Sequence, residues 1–150
     1  MTPLPTYAHE SARTELLALL HAHAQRHSLG RIFGGGLKVV LDETTGVGPD
    51  VVFIRTDHMT FMQPDGFYGT PDLVVEVVSS KPQLDRDVKL RKYASARIPH
   101  YWIVDPLNKA LAAYRLDGDH YEVAATLEGD ASFESELFPG LVIPLASLWV

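Results

Sequence analysis

Apolar residues change their spacing several times along this chain, and each change marks an element. Over residues 10 to about 27, Ala12, Leu16, Leu19, Leu20 and His23 recur at helical intervals on one stripe, with Gly30 as the stop. Arg31-Ile32-Phe33, a triple glycine and Leu37-Lys38-Val39-Val40-Leu41 then predict strand, kink or bulge, and strand. A turn at 42–46 leads to Pro49-Asp50, which opens the buried strand Val51-Val52-Phe53-Ile54 with a carboxylate at its start. Residues 57–70 read as a loop or short helix, in which Met59, Phe61, Met62 and Phe67 serve either as core satellites or as a flap.

The run Pro71-Asp72-Leu73-Val74-Val75-Glu76-Val77-Val78-Ser79-Ser80 is a β-branched stretch that carries two acids. It predicts a buried strand, with Pro71 at the start, where a missing N–H is tolerated. Alternation puts Asp72, Val74, Glu76 and Val78 on one face and Leu73, Val75 and Val77 on the other. A helix follows over about 83–97, then the strand Tyr101-Trp102-Ile103-Val104-Asp105-Pro106. A hairpin comes next, 110–115 and 120–127, joined at Asp117-Gly118-Asp119, and the closing segment 137–150 is punctuated by Pro139-Gly140 and Pro144. Helix, three strands, helix, strand and hairpin predict an α/β fold. It is a mixed β-sheet flanked by helices, with a crossover helix between the third and fourth strands and a C-terminal β-hairpin.

Composition narrows the class. The 150 residues are expected to form one domain over 1–150, and 46% hydrophobic with 21% charged residues is ordinary for a soluble protein. No apolar run approaches the roughly 20 residues of a membrane helix. The first residues lack the basic region and apolar core of a signal, so a cytoplasmic protein is expected, away from membranes. The absence of cysteine excludes disulfides, thiolate zinc sites and cysteine nucleophiles. A net charge of −6 argues against nucleic-acid binding by the whole surface. A nucleic-acid partner needs a local basic patch or metal neutralisation, and Lys81, Arg86, Lys89, Arg91, Lys92 and Arg97 supply the one concentrated basic stretch.

The chemistry gathers around Glu76. An ionised carboxylate among valines is costly unless a cation, donor or metal compensates it, so Glu76 is either half of a structural salt bridge or a metal ligand. Asp85, Lys89 and Tyr93 lie near one face of the second helix, and Lys89 either reaches Glu76 or pairs with Asp85 along the helix. Two carboxylates from neighbouring strands, Asp50 and Glu76, with a lysine suit phosphodiester hydrolysis, and hard oxygen ligands select Mg²⁺ or Mn²⁺. Asp72 shares the face of Glu76 but sits ~13 Å along it at ~3.3 Å per residue, which suits a supporting or entrance residue rather than a second ligand. His23 and His27 have the spacing of two helix-borne ligands, but no third ligand of a recognisable motif accompanies them. Gly34-Gly35-Gly36 lacks the Gly-Lys-Ser/Thr ending of a phosphate loop and reads as backbone geometry. Tyr93 and Trp102 read as core aromatics.

Four motifs in order carry a resemblance: Pro49-Asp50-Val51-Val52-Phe53; Pro71 to Val77; Asp85-Arg86-Asp87-Val88-Lys89-Leu90-Arg91-Lys92-Tyr93-Ala94; and Tyr101 to Pro106. With Phe138-Pro139-Gly140-Leu141 they resemble the Uma-two family of restriction-endonuclease-like proteins, in the PD-(D/E)XK nuclease superfamily, over about residues 8–150. The resemblance implies a restriction-endonuclease-like fold and a metal-dependent endonuclease acting on DNA, with Asp50 as the first Asp and Glu76 as the second acid. The usual lysine position two residues after that acid holds Val78, and Lys89 is implied as its replacement. Ser79-Ser80-Lys81 stands in place of the family's Ser-Pro-Ser/Thr, which makes Lys81 a rival. The family's N-terminal hairpin with its glutamate precedes the point where this chain starts, leaving Glu10 as a substitute candidate. Arg97 replaces a helix-ending glycine and should matter for the cap. Cutting both strands of a duplex suits a homodimer, with aromatics between Phe61 and Tyr68 or Leu148-Trp149-Val150 as contacts. The alternative is a non-catalytic domain on the same scaffold that binds protein or nucleic acid.

Overall fold

The computed structural model describes residues 6–78 and 83–149, with the side chains of 83–85 left aside. Its first element is α1 (Tyr7–Arg26), which starts one turn earlier than the apolar stripe predicts. The reason is Thr6, whose hydroxyl accepts the His9 N–H as an N-cap, with Glu10 in the positive first turn. The buried stripe is therefore His9, Ala12, Leu16, Leu20, His23 and Ala24.

The main sheet has six strands: β1 (Gly30–Gly34), β4 (Val51–Arg55), β7 (Leu73–Val77), β8 (His100–Asp105), β9 (Ala110–Asp117) and β10 (His120–Glu128), in that spatial order. β1, β4 and β7 run antiparallel in turn. β7 and β8 are parallel, and α2 (Gln83–Ser95) lies between them in the chain as the crossover. β9 and β10 form the C-terminal hairpin around Gly118-Asp119, with Gly118 at φ +67° where a tight turn needs it. The expected mixed sheet, crossover helix and hairpin are all present.

The glycine run separates two sheets rather than kinking one strand. β1 stays in the main sheet, while β2 (Val39–Val40) joins β3 (Gly46–Val47), β5 (Met62–Gln63) and β6 (Gly66–Phe67) in a small second sheet. A Cβ on Gly34 would come within 2.8 Å of the Leu17 side chain, so glycine lets β1 end against α1. The stretch 57–70 is opened by a 3-10 turn, Thr56–Phe61, which starts one residue before it and is followed by the β5–β6 hairpin. Phe67 is fully buried there and Met59 and Met62 pack against the same cluster, so these residues are core satellites.

Each face of the main sheet has its own covering. α1 and the C-terminal segment lie on Val51, Phe53, Leu73, Val75, Val77, Trp102 and Val104. Trp102 packs edge-on against Phe133, with ring centroids 4.9 Å apart, and Phe53 packs on Phe138 at 4.8 Å. On the other face the small sheet covers Val52 and Ile54, while α2 covers Val74, Val78, Tyr101 and Ile103. Leu41 and Val47 touch both clusters where the two coverings meet. α2 gives way to a left-handed residue, Arg97 at φ +63°, in the place where glycine would carry no Cβ penalty of about 1–2 kcal/mol.

The C-terminal segment corrects one expectation. Leu148 is fully buried in the core and the Trp149 indole N–H donates to the Gly129 carbonyl at 2.7 Å, so these two are internal packing rather than dimer contacts. Val150 lies outside the described residues. His23 Nε2 donates to the Pro139 carbonyl at 2.8 Å and so ties α1 to the C-terminal segment. That role leaves no lone pair on Nε2 for the metal pairing with His27.

Candidate active site at the end of the β4–β7 pair

The register of β4 and β7 pairs Val51 with Val75, so Asp50 and Glu76 fall opposite one another one step further out. Asp50 is anchored there by its own chemistry: its Oδ2 accepts the Val77 backbone N–H at 2.8 Å. At the far end of the same pair Asp72 does the equivalent, its Oδ2 accepting the Arg55 N–H at 2.8 Å. The two aspartates close the ladder at its two ends, because a charged carboxylate satisfies a backbone donor that the neighbouring strand leaves over.

Glu76 is the buried acid of this site, 7% exposed in mid-strand. The helix that returns over β7 and β8 answers it twice. Lys89 Nζ donates to Oε2 at 2.9 Å and Tyr93 Oη donates to Oε1 at 2.9 Å. Burial, followed by the adjacent Glu76 charge, pushes the Tyr93 phenol far above its ordinary range, so it stays a donor at every working pH. Lys89 therefore reaches the strand acid from the helix, as its spacing allows, through a side chain that keeps 28% exposure. One turn earlier on α2, Arg86 pairs with Asp105 at 2.7 Å, and Asn108 also donates to that carboxylate at 2.9 Å. Burial raises the Asp105 pKa, but the Asn108 and Arg86 contacts outweigh it and hold the group below the usual carboxylate range.

α1 brings a third set of groups to the same end of the sheet. His9 is buried, with Nε2 3.6 Å from Asp50 Oδ1 and Nδ1 3.3 Å from Glu10 Oε1. Arg13 grips Glu10 at 2.6 Å and 3.2 Å. The Arg13 hydrogen bond holds the Glu10 carboxyl below its usual range against a small desolvation cost. Glu10 thus supports His9 and Arg13, and its contacts among the described residues are with those two rather than with the Asp50–Glu76 pair. His9 was not among the residues singled out from the sequence. Its signal is the buried stripe itself, which continues back from Ala12 by three positions once Thr6 is recognised as the cap.

Asp72 is not brought to this end. It is buried, with its oxygens 3.0 Å from His58 Nδ1 and one of them 3.8 Å from Arg55 Nε. The Asp72 hydrogen bond holds the His58 imidazole above its ordinary value, with a smaller opposing effect of burial. A raised imidazole pKa contributes stability that is complete below the unfolded value near 6.5 and is lost as pH rises through the folded value. The melting temperature of the wild type should fall across about pH 6 to 8 relative to an Asp72→Asn variant, whose profile is flatter there. Parallel profiles would mean that the His58–Asp72 contact contributes nothing. Lys81 and the Asp85 side chain lie outside the described residues.

The donor set suits a divalent ion. Asp50 and Glu76 supply hard oxygens at one strand end, and among the described residues Asp50 Oδ1 accepts no hydrogen bond, with His9 Nε2 3.6 Å away. Among the described residues no three His, Asp or Glu form a ready-made metal cluster, so an ion here would keep much of its water. Among those residues, too, no helix is long and apolar enough to cross a membrane.

Comparison with known proteins adds the relationship. No curated protein matches the chain. Among solved structures it is similar to the crystal structure of a "putative nuclease belonging to DUF820" from Anabaena variabilis. The TM-score is 0.80 and the identity 16%, over 99% of this chain and 83% of that one, which shows a shared fold. The family model Uma2, "Putative restriction endonuclease", matches residues 1–146, and the chain belongs to that family.

Proposed function

We propose that this protein is a metal-dependent endonuclease that hydrolyses DNA phosphodiester bonds. The observation that carries the reading is the contact of Lys89 Nζ with Glu76 Oε2 at 2.9 Å, beside an aspartate fixed on the next strand. Asp50 and Glu76 would hold a divalent ion, which when bound neutralises phosphoryl charge and makes a water more acidic. The chain's own residues do the rest. The Val77 N–H fixes Asp50, and the Tyr93 hydroxyl fixes one oxygen of Glu76, so the acids are held before substrate arrives. Lys89 keeps an ammonium beside Glu76 where it orients the attacking water and offsets charge developing on the phosphate. Val78, in the usual lysine position, can do neither. A strand-end location with exposed Arg91 and Lys92 on α2 suits a polymeric, anionic substrate.

Supercoiled plasmid incubated with the pure protein and Mg²⁺ or Mn²⁺ should be nicked or linearised. EDTA and Glu76→Gln should each prevent this. Intact plasmid under all metal conditions would favour the non-catalytic binding domain instead. A duplex has two strands to cut, so a symmetric homodimer is the expected assembly. Phe61 and Tyr68, 50% and 38% exposed, remain as contact candidates. Light scattering that returned a monomer mass across a wide concentration range would remove the dimer.

A further inference from the structure

The ring of His9 stands between two carboxylates that treat it differently. Glu10, bonded to Arg13, is an anion and can only accept, so the nitrogen beside it, Nδ1 at 3.3 Å, is a donor. That fixes the tautomer and leaves the lone pair of neutral imidazole on Nε2. Nε2 faces Asp50 Oδ1 at 3.6 Å. The separation is too long for a hydrogen bond, and in this tautomer both atoms are acceptors. Two ligands of one ion, each ~2.1 Å from it, stand roughly 3.0 Å apart in an octahedral shell and roughly 3.4 Å apart in a tetrahedral one, so a small closing of this gap would seat an ion between them. The second oxygen of Asp50 is already committed to the Val77 N–H, which keeps Oδ1 turned toward the histidine.

We infer that His9 is a nitrogen ligand sharing a divalent ion with Asp50, and that Glu10 is the outer carboxylate that orients it, so the site selects Mn²⁺ over Mg²⁺. This rests on the metal-dependent reading above. Imidazole suits first-row transition ions, whereas Mg²⁺ keeps to oxygen and water. A carboxylate on the far ring nitrogen fixes the tautomer and raises the basicity of the ligating one, and Glu10 is placed to do both. Arg13 holds Glu10 in that role.

Two measurements on the full chain test the assignment: calorimetric titration with Mn²⁺ and with Mg²⁺, and pulsed electron paramagnetic resonance of the Mn²⁺-loaded protein. The wild type should bind Mn²⁺ at least about tenfold more tightly than Mg²⁺ and show nitrogen coupling from one imidazole. His9→Gln should lose that coupling and about 10–100-fold in Mn²⁺ affinity, with little change for Mg²⁺. Glu10→Gln should keep the coupling and lose affinity by a smaller factor. Melting curves without metal check that each variant folds, and ¹⁵N-histidine labelling of the wild type shows whether the coupled nitrogen belongs to a histidine even if His9→Gln does not fold. Mn²⁺ bound without nitrogen coupling, and equally well by His9→Gln, would overturn the ligand role and leave Asp50 and Glu76 as the metal site. Failure of the wild type to bind either ion overturns this inference and the metal-dependent function together.

Discussion

Lys89→Met is expected to lower the rate of plasmid cleavage by about 10²–10³-fold, the usual consequence of removing one preorganised donor from a developing negative charge. The same change leaves Glu76 with the Tyr93 hydroxyl but without its ammonium. Breaking a fully buried pair costs about 3–5 kcal/mol. Water reaches the Lys89 side chain, which is 28% exposed, so the expected loss of stability is smaller, about 1–2 kcal/mol. Metal affinity should hold or rise, because a positive charge has been taken from beside two carboxylates. The pattern to look for is intact metal binding with lost turnover. A purely structural ion pair would show the same loss of stability with an unchanged rate. The double variant Glu76→Gln, Lys89→Met sharpens the contrast. It removes both charges and should recover most of the stability without recovering cleavage. Lys81→Met should reduce cleavage only in part.

The elements that position the site were the legible ones. β4, β7 and β8 are short apolar runs, with Asp50 just before the first, Glu76 within the second and Asp105 at the end of the third. A one-residue slip of register would turn Glu76 to the opposite face, so the pattern constrains the fold tightly. The crossover helix followed from its position between two strands that must run parallel. The small second sheet was not legible. Its four strands have two residues each, too few to show any period, and its two local hairpins are joined by the long-range pairing of Val39 with Phe67. The glycine run therefore read as one bent strand when it joins two sheets.

Within the site, chemistry that lies along one strand or one helix was readable, and chemistry assembled across elements was less so. Lys89 and Tyr93 are on one face of α2 by spacing alone, and both meet Glu76. Asp72 shares the alternation of Glu76 yet belongs to the other end of the ladder, where distance along the strand separates it from the proposed chemistry. His9 reaches Asp50 only because α1 packs across the sheet, a contact of 41 residues' separation that no local pattern encodes.

Asp50 separates the ladder from the chemistry because its two oxygens have different partners. Asp50→Asn keeps a carbonyl oxygen for the Val77 N–H, so the fold should lose no more than about 1 kcal/mol as a charge-assisted bond becomes a neutral one. Asp50→Ala leaves that N–H at the buried end of β7 without its acceptor and should cost about 1–3 kcal/mol. Cleavage should be lost in both, since neither keeps a carboxylate for the ion. Metal binding follows the same division. In the wild type, Ca²⁺ or Mn²⁺ at about 100 times its dissociation constant stabilises the native state by about 2.7 kcal/mol, which is read as a rise in melting temperature. That rise should shrink in Asp50→Asn and vanish when Glu76→Gln is added. If the double variant gained the same stabilisation as the wild type, the ion would be bound elsewhere and Asp50 would be a strand-end anchor alone, the counterpart of Asp72 at the opposite end of the pair.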